Sequence, residues 1–348
     1  MVPSPCRADA EGKRIVRIVI LGATGHIGQA ILRRALAQNH WVTAVSRQAD
    51  PVALRGLGVN IGRVDDGFGA LTEIAAGHHL IVDAAAPYPL QPCLPGSERW
   101  RLAVDAAVWR TQKVIAAARY NRTRLAFVSS FTTLPRREPP LFAMETAWRR
   151  SMYPYFEAKA AMEQTVMAAA RQGLPAVIVN PVACLGPWEF RGDGSGDGSS
   201  IGSGFVGAVL ERRLPVVMDH ALSVVDVRDV ALGIDLAFAR ECFGRPIPLA
   251  GHNVTIAALA ARIAALDGFE ATPMGLDGRL ASMGAFWTGA AFAAFGLAVP
   301  DTLGAVILTA DSFPMQPSPE QIALGVTIRP LDDTLRDAVT FYRRRHTV

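Results

Sequence analysis

Ile18-Val-Ile-Leu-Gly22-Ala-Thr-Gly25-His-Ile-Gly28 is the stretch that decides the fold. A β-branched apolar run ends in three glycines, and Gln29-Ala-Ile-Leu-Arg-Arg-Ala-Leu continues with apolar residues at helical steps. This reads as strand, tight turn and helix. The glycines let the backbone turn sharply, approach a pyrophosphate and pack the helix on the strand, while the helix N-terminus offers N–H donors and its positive dipole end. Gly22, Thr24, Gly25, His26, Ile27 and Gly28 are therefore expected to bind a dinucleotide.

A second apolar run, His40 to Arg47, supplies the strand that should lie beside the first. The residue at its end faces the adenosine ribose: an acid there suits a free 2′-hydroxyl, whereas Arg47, helped by Ser46, suits a 2′-phosphate. NADP(H) is thus favoured. NAD(H) remains the alternative if Asp50 takes the ribose and Arg47 is a solvated loop residue. Asp65, after Val59 to Val64, is placed either at the adenine edge or as a helix cap, and Asp66 competes for both positions.

Further apolar runs follow at His79 to Pro87, Arg124 to Ser130 and Pro175 to Pro181, with helical patterns between them at 100–120 and 155–173. That alternation predicts an α/β fold, a doubly wound parallel Rossmann sheet over residues 14–182, preceded by a flexible tail at 1–13. Residues 183–348 are expected to form mainly a smaller, discontinuous substrate-binding lobe, with segments around 217–252 returning to the sheet. The Gly/Ser/Asp-rich stretch at 190–204 reads as a surface loop. Its Asp193 and Asp197 lack the bidentate glutamate of a calcium loop, and no metal site is expected.

Composition narrows the function classes. The 348 residues are 50% hydrophobic and 19% charged, which excludes general disorder and leaves apolar residues in surplus. The net charge of +4 is dispersed and argues against a nucleic-acid partner. Cys6, Cys93, Cys184 and Cys242 form no Cys-x-x-Cys pair, and the N-terminus has no signal-peptide pattern, so a reduced, cytoplasmic location is expected.

Tyr155 and Lys159 stand one helical turn apart on one face. A nearby ammonium favours phenolate, which lowers a tyrosine from its ordinary value of about 10 towards a usable general acid or base. Ser130 lies 25 positions upstream at the end of an apolar strand, where open α/β sheets place their ligands. Tyr153 has Glu157, not lysine, four residues on.

With the glycine turn, Val128-Ser-Ser130, the Tyr155/Lys159 pair, Asn180-Pro-Val-Ala-Cys-Leu-Gly-Pro187 and Ser223-Val-Val-Asp-Val-Arg-Asp-Val-Ala231 in order, the chain resembles the extended short-chain dehydrogenase/reductase superfamily. It is similar in style to the epimerase/dehydratase-like, dihydroflavonol reductase and 3β-hydroxysteroid dehydrogenase members. The resemblance implies that Tyr155 moves the proton, that Lys159 tunes it and holds the nicotinamide ribose, and that Ser130 hydrogen-bonds the substrate oxygen. It further implies that Ala84, Ala85 and Ala86 line the cofactor, that Pro181 and Val182 approach the carboxamide, and that Ser129 is a cofactor contact or a substitute for Ser130. Pro87 and Thr132 are implied substrate contacts, with Thr133 assisting, and Glu163 is implied to be structural. A homodimer through the 104–120 and Tyr155 helices is a further implication.

Departures from the family pattern refine this. Phe131-Thr132 stands where dehydratases carry an acidic pair, Ala107 where many members have Asn, and Asn180 where Arg often precedes the proline. Ala281 to Pro300 carries no charge; it is expected to form a helical hairpin over the active site and not a membrane span. Such an apolar wall suits a lipophilic or aromatic carbonyl substrate, so the expected activity is hydride transfer between nicotinamide and a carbonyl or secondary alcohol. The alternatives are an NAD-retaining sugar-nucleotide epimerase, for which Arg212, Arg213 and Arg228 could be recruited, and a non-catalytic dinucleotide sensor.

Overall fold

A computed structural model describes residues 15–48, 51–64, 69–87, 89–135, 146–148, 150–190, 204–214, 216–271, 273–295, 297 and 301–346. The tail at 1–13, Asp50, Asp65 and Asp66, and Asp193 and Asp197 lie outside these residues.

The glycine turn joins β1 (Arg17–Leu21) to α1 (His26–Ala37), and β2 (Trp41–Ser46), β3 (Asn60–Arg63), α2 (Leu71–Ile74) and β4 (Leu80–Asp83) follow. The long α3 (Glu98–Asn121) leads to β5 (Arg124–Val128), and α4 (Pro154–Arg171) to β6 (Ala176–Pro181). With β7 (Ala183–Leu185), α5 (Phe205–Leu210), β8 (Val216–Asp219), β9 (Ala221–Asp226) and α6 (Val227–Ala239), the chain reaches β10 (Pro246–Leu249). The remainder comprises β11 (His252–Thr255), α7 (Ile256–Leu266), β12 (Met274–Asp277), α8 (Gly278–Ala294), α9 (Asp301–Asp311), α10 (Pro319–Leu324) and α11 (Leu331–His346).

Seven strands pair in parallel in the order β10-β6-β5-β4-β1-β2-β3. Alternate residues divide the core as period-two geometry demands. Ile18, Ile20, Ala126, Val128, Val177 and Val179 share one cluster with residues of α1 and α6. Val19, Leu21, Ile81, Leu125, Phe127 and Ile178 share the other with residues of α3 and α4. Strand order reverses beside β1, so the loops after β1 and β4 border a crevice at the carboxyl ends of the strands, where open α/β sheets bind ligands.

The 217–252 segment divides. Within it β10 joins the main sheet beside β6, whereas β9 pairs with β7 and β11, and β8 with β12. The stretch 247–255, which reads as a single strand, is broken in two at Gly251. A Cβ there would stand 2.1 Å from the carbonyl oxygen of Val224, so only glycine lets the chain cross so close to β9 on leaving the main sheet. The uncharged stretch falls largely in α8, which packs on α9, and Ala285, Phe286, Ile307 and Leu308 are buried in the cluster that contains Phe131, Tyr153 and Tyr155. None of the described helices is long and apolar enough to cross a membrane.

Candidate active site

The turn after β1 is closed by a 2.9 Å hydrogen bond from the Gly25 amide to the Gly22 carbonyl. Gly22 has φ +79° and lies against Ala84, whose carbonyl oxygen would be 2.5 Å from a Cβ. The loops after β1 and β4 therefore touch, which brings Ala84, Ala85 and Ala86 to the same crevice as the glycines. Gly25 caps α1 without any side-chain hydrogen bond, and no acid stands in the first turn. The first amides of α1 thus meet no capping side chain.

The His26 ring reaches away from the turn. Its Nε2 faces the carbonyls of Gly186 and Pro187 at 3.2 and 3.1 Å, so the ring ties α1 to the segment that follows β7. Burial pulls its imidazole from 6.5 down to about 4, against the raising effect of these carbonyls and of Asp226. A group depressed in the fold keeps its full contribution above its unfolded value and loses it as pH falls through its folded one. Stability should therefore fall between pH 6.5 and about 4, and His26→Gln should flatten that part of a urea-midpoint profile. Equal slopes in both proteins would refute the assignment.

At the end of β5 the backbone turns into a short helical turn at 131–133, and Ser130 caps it, its Oγ accepting from the Thr132 amide at 3.2 Å. The Tyr155 hydroxyl on α4 stands 3.4 Å from Ser130 Oγ. Lys159 Nζ reaches the carbonyls of Val128 and Ser129 at 3.4 and 3.5 Å. Burial pulls this ammonium from 10.5 down to about 8; Asp83 and Glu163 oppose the shift and Arg110 adds to it. All three side chains are buried.

Ser129 turns the other way. Its hydroxyl donates to Glu163, whose Oε2 also accepts from Thr133 Oγ1 at 2.8 Å and from Asn180 Nδ2 at 2.6 Å. Asn180 Nδ2 further approaches the Ser130 carbonyl at 3.2 Å. Glu163 thus gathers β5, β6 and α4 behind Ser130. Glu163→Leu, which would remove the charged acceptor shared by Ser129, Thr133 and Asn180, should cost about 3 kcal/mol or more of unfolding free energy in urea melts. A loss under about 1 kcal/mol would remove it from this position.

Several residues at the site carry no local sequence signal. Asp83 and Arg110 form a buried two-pronged ion pair at 2.8 and 2.6 Å. Arg150 contacts Asp311 at 3.3 Å, donates to the Thr132 carbonyl and stacks over Phe156, tying α9 to the segment beside Ser130. Phe313 meets Phe131 edge-on, with centroids 6.4 Å apart. Thr132 Oγ1 and Tyr153 Oη are buried with no hydrogen-bond partner among the described residues, and burial pushes the Tyr153 phenol up to about 12. Asp50, the rival of Arg47 for the ribose, lies outside the described residues. Arg47 itself is exposed just beyond β2, where Ser46 pairs in register with Arg63 of β3 and accepts from the Gln48 amide. Pro181 ends β6 in register with Leu249, the next amide, of Val182, donates to the Leu249 carbonyl at 3.2 Å, and Pro87 follows the three alanines, partly buried.

Among known proteins, the sequence model of the NAD dependent epimerase/dehydratase family matches residues 18–246. A putative dihydroflavonol 4-reductase of Synechocystis sp. is 26% identical over 267 residues, covering 72% of this chain and 73% of its own. Sterol demethylase protein B of Methylococcus capsulatus is 27% identical, with 75% and 78% covered. The crystal structure of a nucleoside-diphosphate-sugar epimerase from Pseudomonas aeruginosa shares the fold with a TM-score of 0.66 at 23% identity, over 95% of this chain and 98% of that one. The family match runs from β1 through the glycine turn, Ser130, Tyr155 and Lys159 to the start of β10, and the chain belongs to the NAD dependent epimerase/dehydratase family, in the extended short-chain dehydrogenase/reductase superfamily.

Proposed function

We propose that the protein is an NADP(H)-dependent oxidoreductase that interconverts a carbonyl and a secondary alcohol on a lipophilic or aromatic small molecule. The observation that carries this reading is the convergence of the Ser130 and Tyr155 hydroxyls, 3.4 Å apart, with Lys159 at the strand ends. The residues fit a dinucleotide: α1 presents an N-terminus without a side-chain cap, and the turn before it is bare of side chains at Gly22, Gly25 and Gly28. Gly22, Thr24, Gly25, Ile27 and Gly28 would line the pyrophosphate, Ser46 and Arg47 the adenosine end, and Ala84, Ala85, Ala86, Lys159, Pro181 and Val182 the nicotinamide end. Bound there, the nicotinamide supplies or accepts hydride.

The chain's own residues handle the proton. Ser130 and Tyr155 hydrogen-bond one substrate oxygen, and in the reductive direction Tyr155 gives its hydroxyl proton as charge develops on that oxygen. The Lys159 ammonium stabilises the phenolate that remains. Thr132, whose hydroxyl has no partner among the described residues, and Pro87 would meet the substrate. Tyr153 is unsuited to proton transfer because its burial disfavours phenolate.

The substrate class follows from the second lobe. Phe131, Phe313, Phe286 and Leu308 belong to one apolar assembly with Tyr155. The arginines a nucleotide diphosphate would need are engaged elsewhere: Arg228 by Asp226 and Asp337, Arg213 by Glu211, and Arg212 over the Phe269 ring. That argues against the epimerase reading.

Titration of cofactor fluorescence, followed by a panel of hydrophobic ketones and aldehydes, tests the proposal. Tighter binding of NADPH than NADH and oxidation of NADPH by members of the panel are expected. Redox-neutral conversion of a sugar nucleotide by a copurified cofactor would overturn it. Arg47→Ala should weaken NADPH binding by about 10- to 100-fold, the equivalent of one charge-assisted hydrogen bond, while NADH changes little. Equal weakening of both would take Arg47 away from the 2′-phosphate.

A further inference from the structure

We propose that the buried Asp83–Arg110 pair is a positioning device for Lys159: Arg110 occupies the Asp83 carboxylate, so that the lysine ammonium stays directed at the end of β5 and available to Tyr155. This rests on the functional reading above and adds two residues to it.

The placement comes from three elements. Asp83 ends β4 and lies in register with Phe127 of β5, one residue before Val128, whose carbonyl receives Lys159 Nζ. Arg110 comes from the middle of α3, which packs along α4, the helix that carries Lys159. Its guanidinium takes both carboxylate oxygens, at 2.6 and 2.8 Å, and Asp83 Oδ1 also accepts from the Ala85 amide at 3.2 Å. The same carboxylate therefore shapes the alanine segment that would bed the cofactor.

An ion pair this deep is a poor device for stability. Asp83 and Arg110 are 1% and 8% exposed, and the desolvation of two such ions offsets most or all of their attraction, so apolar replacements are often neutral or stabilising. Its presence is better explained by what it does to its neighbour. Among the described residues, the charges that act on Lys159 are Asp83 from β4, Arg110 from α3 and Glu163 from α4. Asp83 alone would hold the ammonium for itself, and a lysine neutralised by a carboxylate does little for a phenolate. Arg110 alone would repel it. Together they leave its charge available where two carbonyls orient it. Burial would raise the Asp83 carboxyl, but the Arg110 charge and hydrogen bonds override it and hold the group below the ordinary carboxylate range.

The chain contains only three lysines, Lys13, Lys113 and Lys159, so lysine-selective ¹³C labelling gives an NMR titration readable without any turnover. Lys159 is assigned by the loss of its resonance in Lys159→Arg. In Arg110→Met the Lys159 midpoint should move up by about one pH unit, and in Asp83→Asn down by about as much. In the double variant it should return to within about 0.3 of wild type. Should Arg110→Met fail to fold, Arg110→Lys, which keeps the charge but frees one carboxylate oxygen, should shift the midpoint upward by about half as much. An unchanged Lys159 midpoint in the folded single variants, or shifts of the same sign, would overturn the proposal. Absence of turnover by the wild type on the carbonyl panel would instead sink the functional reading and leave this titration standing. Where turnover is present, the alkaline limb of the pH–rate profile should follow the Lys159 midpoint in each variant.

Discussion

Tyr155→Phe should abolish nearly all turnover, by about 10²- to 10⁴-fold in kcat, while NADPH affinity stays within about twofold of wild type. The substitution removes one oxygen atom from a ring that is 2% exposed and packed edge-on against Phe156 at 5.5 Å. Phenylalanine keeps that packing, so unfolding free energy should change by less than about 1 kcal/mol. Ser130 keeps its orientation as well, because its Oγ is also held by the Thr132 amide. What disappears is the only hydroxyl of the pair placed beside Lys159 on the same helix face. The loss should fall on kcat far more than on KM, since a proton donor acts chiefly where charge develops on the substrate oxygen. Ser130→Ala should cost less, because it removes a hydrogen bond and leaves the acid in place. Fluorescence titration and single-turnover kinetics on the purified variant measure both quantities. Wild-type turnover in Tyr155→Phe would remove Tyr155 from the chemistry.

What the sequence reveals of this site depends on how far apart the cooperating residues lie. The sheet is legible because strands buried on both faces read as unbroken apolar runs, and β1, β2, β4, β5 and β6 each fall within one. The Tyr155/Lys159 pair is legible because four residues make one helical turn. Asp83 and Arg110 are 27 residues apart and Arg150 and Asp311 are 161 apart, separations with no periodic signature. They meet only once parallel strands and packed helices have set their places. The partners of the His26 side chain are equally hidden in the sequence. They are two backbone carbonyls 160 and 161 residues away, which display nothing in sequence. The short strands β7, β8 and β12, of three or four residues each, escape because so few residues establish no alternation. The legible part is thus what lies within one strand or one helical turn, and the less legible part is what joins distant segments.

Gly28→Ala should be the most damaging single methyl group in the molecule's cofactor half. A Cβ at this position would stand 1.9 Å from the Gly22 carbonyl oxygen and 2.7 Å from its carbon, both backbone atoms of the turn itself. No rotamer relieves that overlap, so either α1 moves off β1 or the turn opens. Gly22 cannot simply shift, because it is pinned at φ +79° with Ala84 immediately behind it. The expected outcome is a loss of about 3 kcal/mol or more in unfolding free energy together with at least a 100-fold loss in NADPH affinity. Gly25→Ala is the control: its Cβ would meet the same carbonyl oxygen at 3.3 Å, a contact that a few tenths of an ångström resolve. It should cost no more than about 1 kcal/mol in urea, because the turn remains closed. The two alanines differ by three positions and add the same methyl, so a difference between them reports the close approach of α1 to the turn and not the general flexibility of glycine. NADPH binding by Gly28→Ala at wild-type strength would show that the turn does not hold the pyrophosphate.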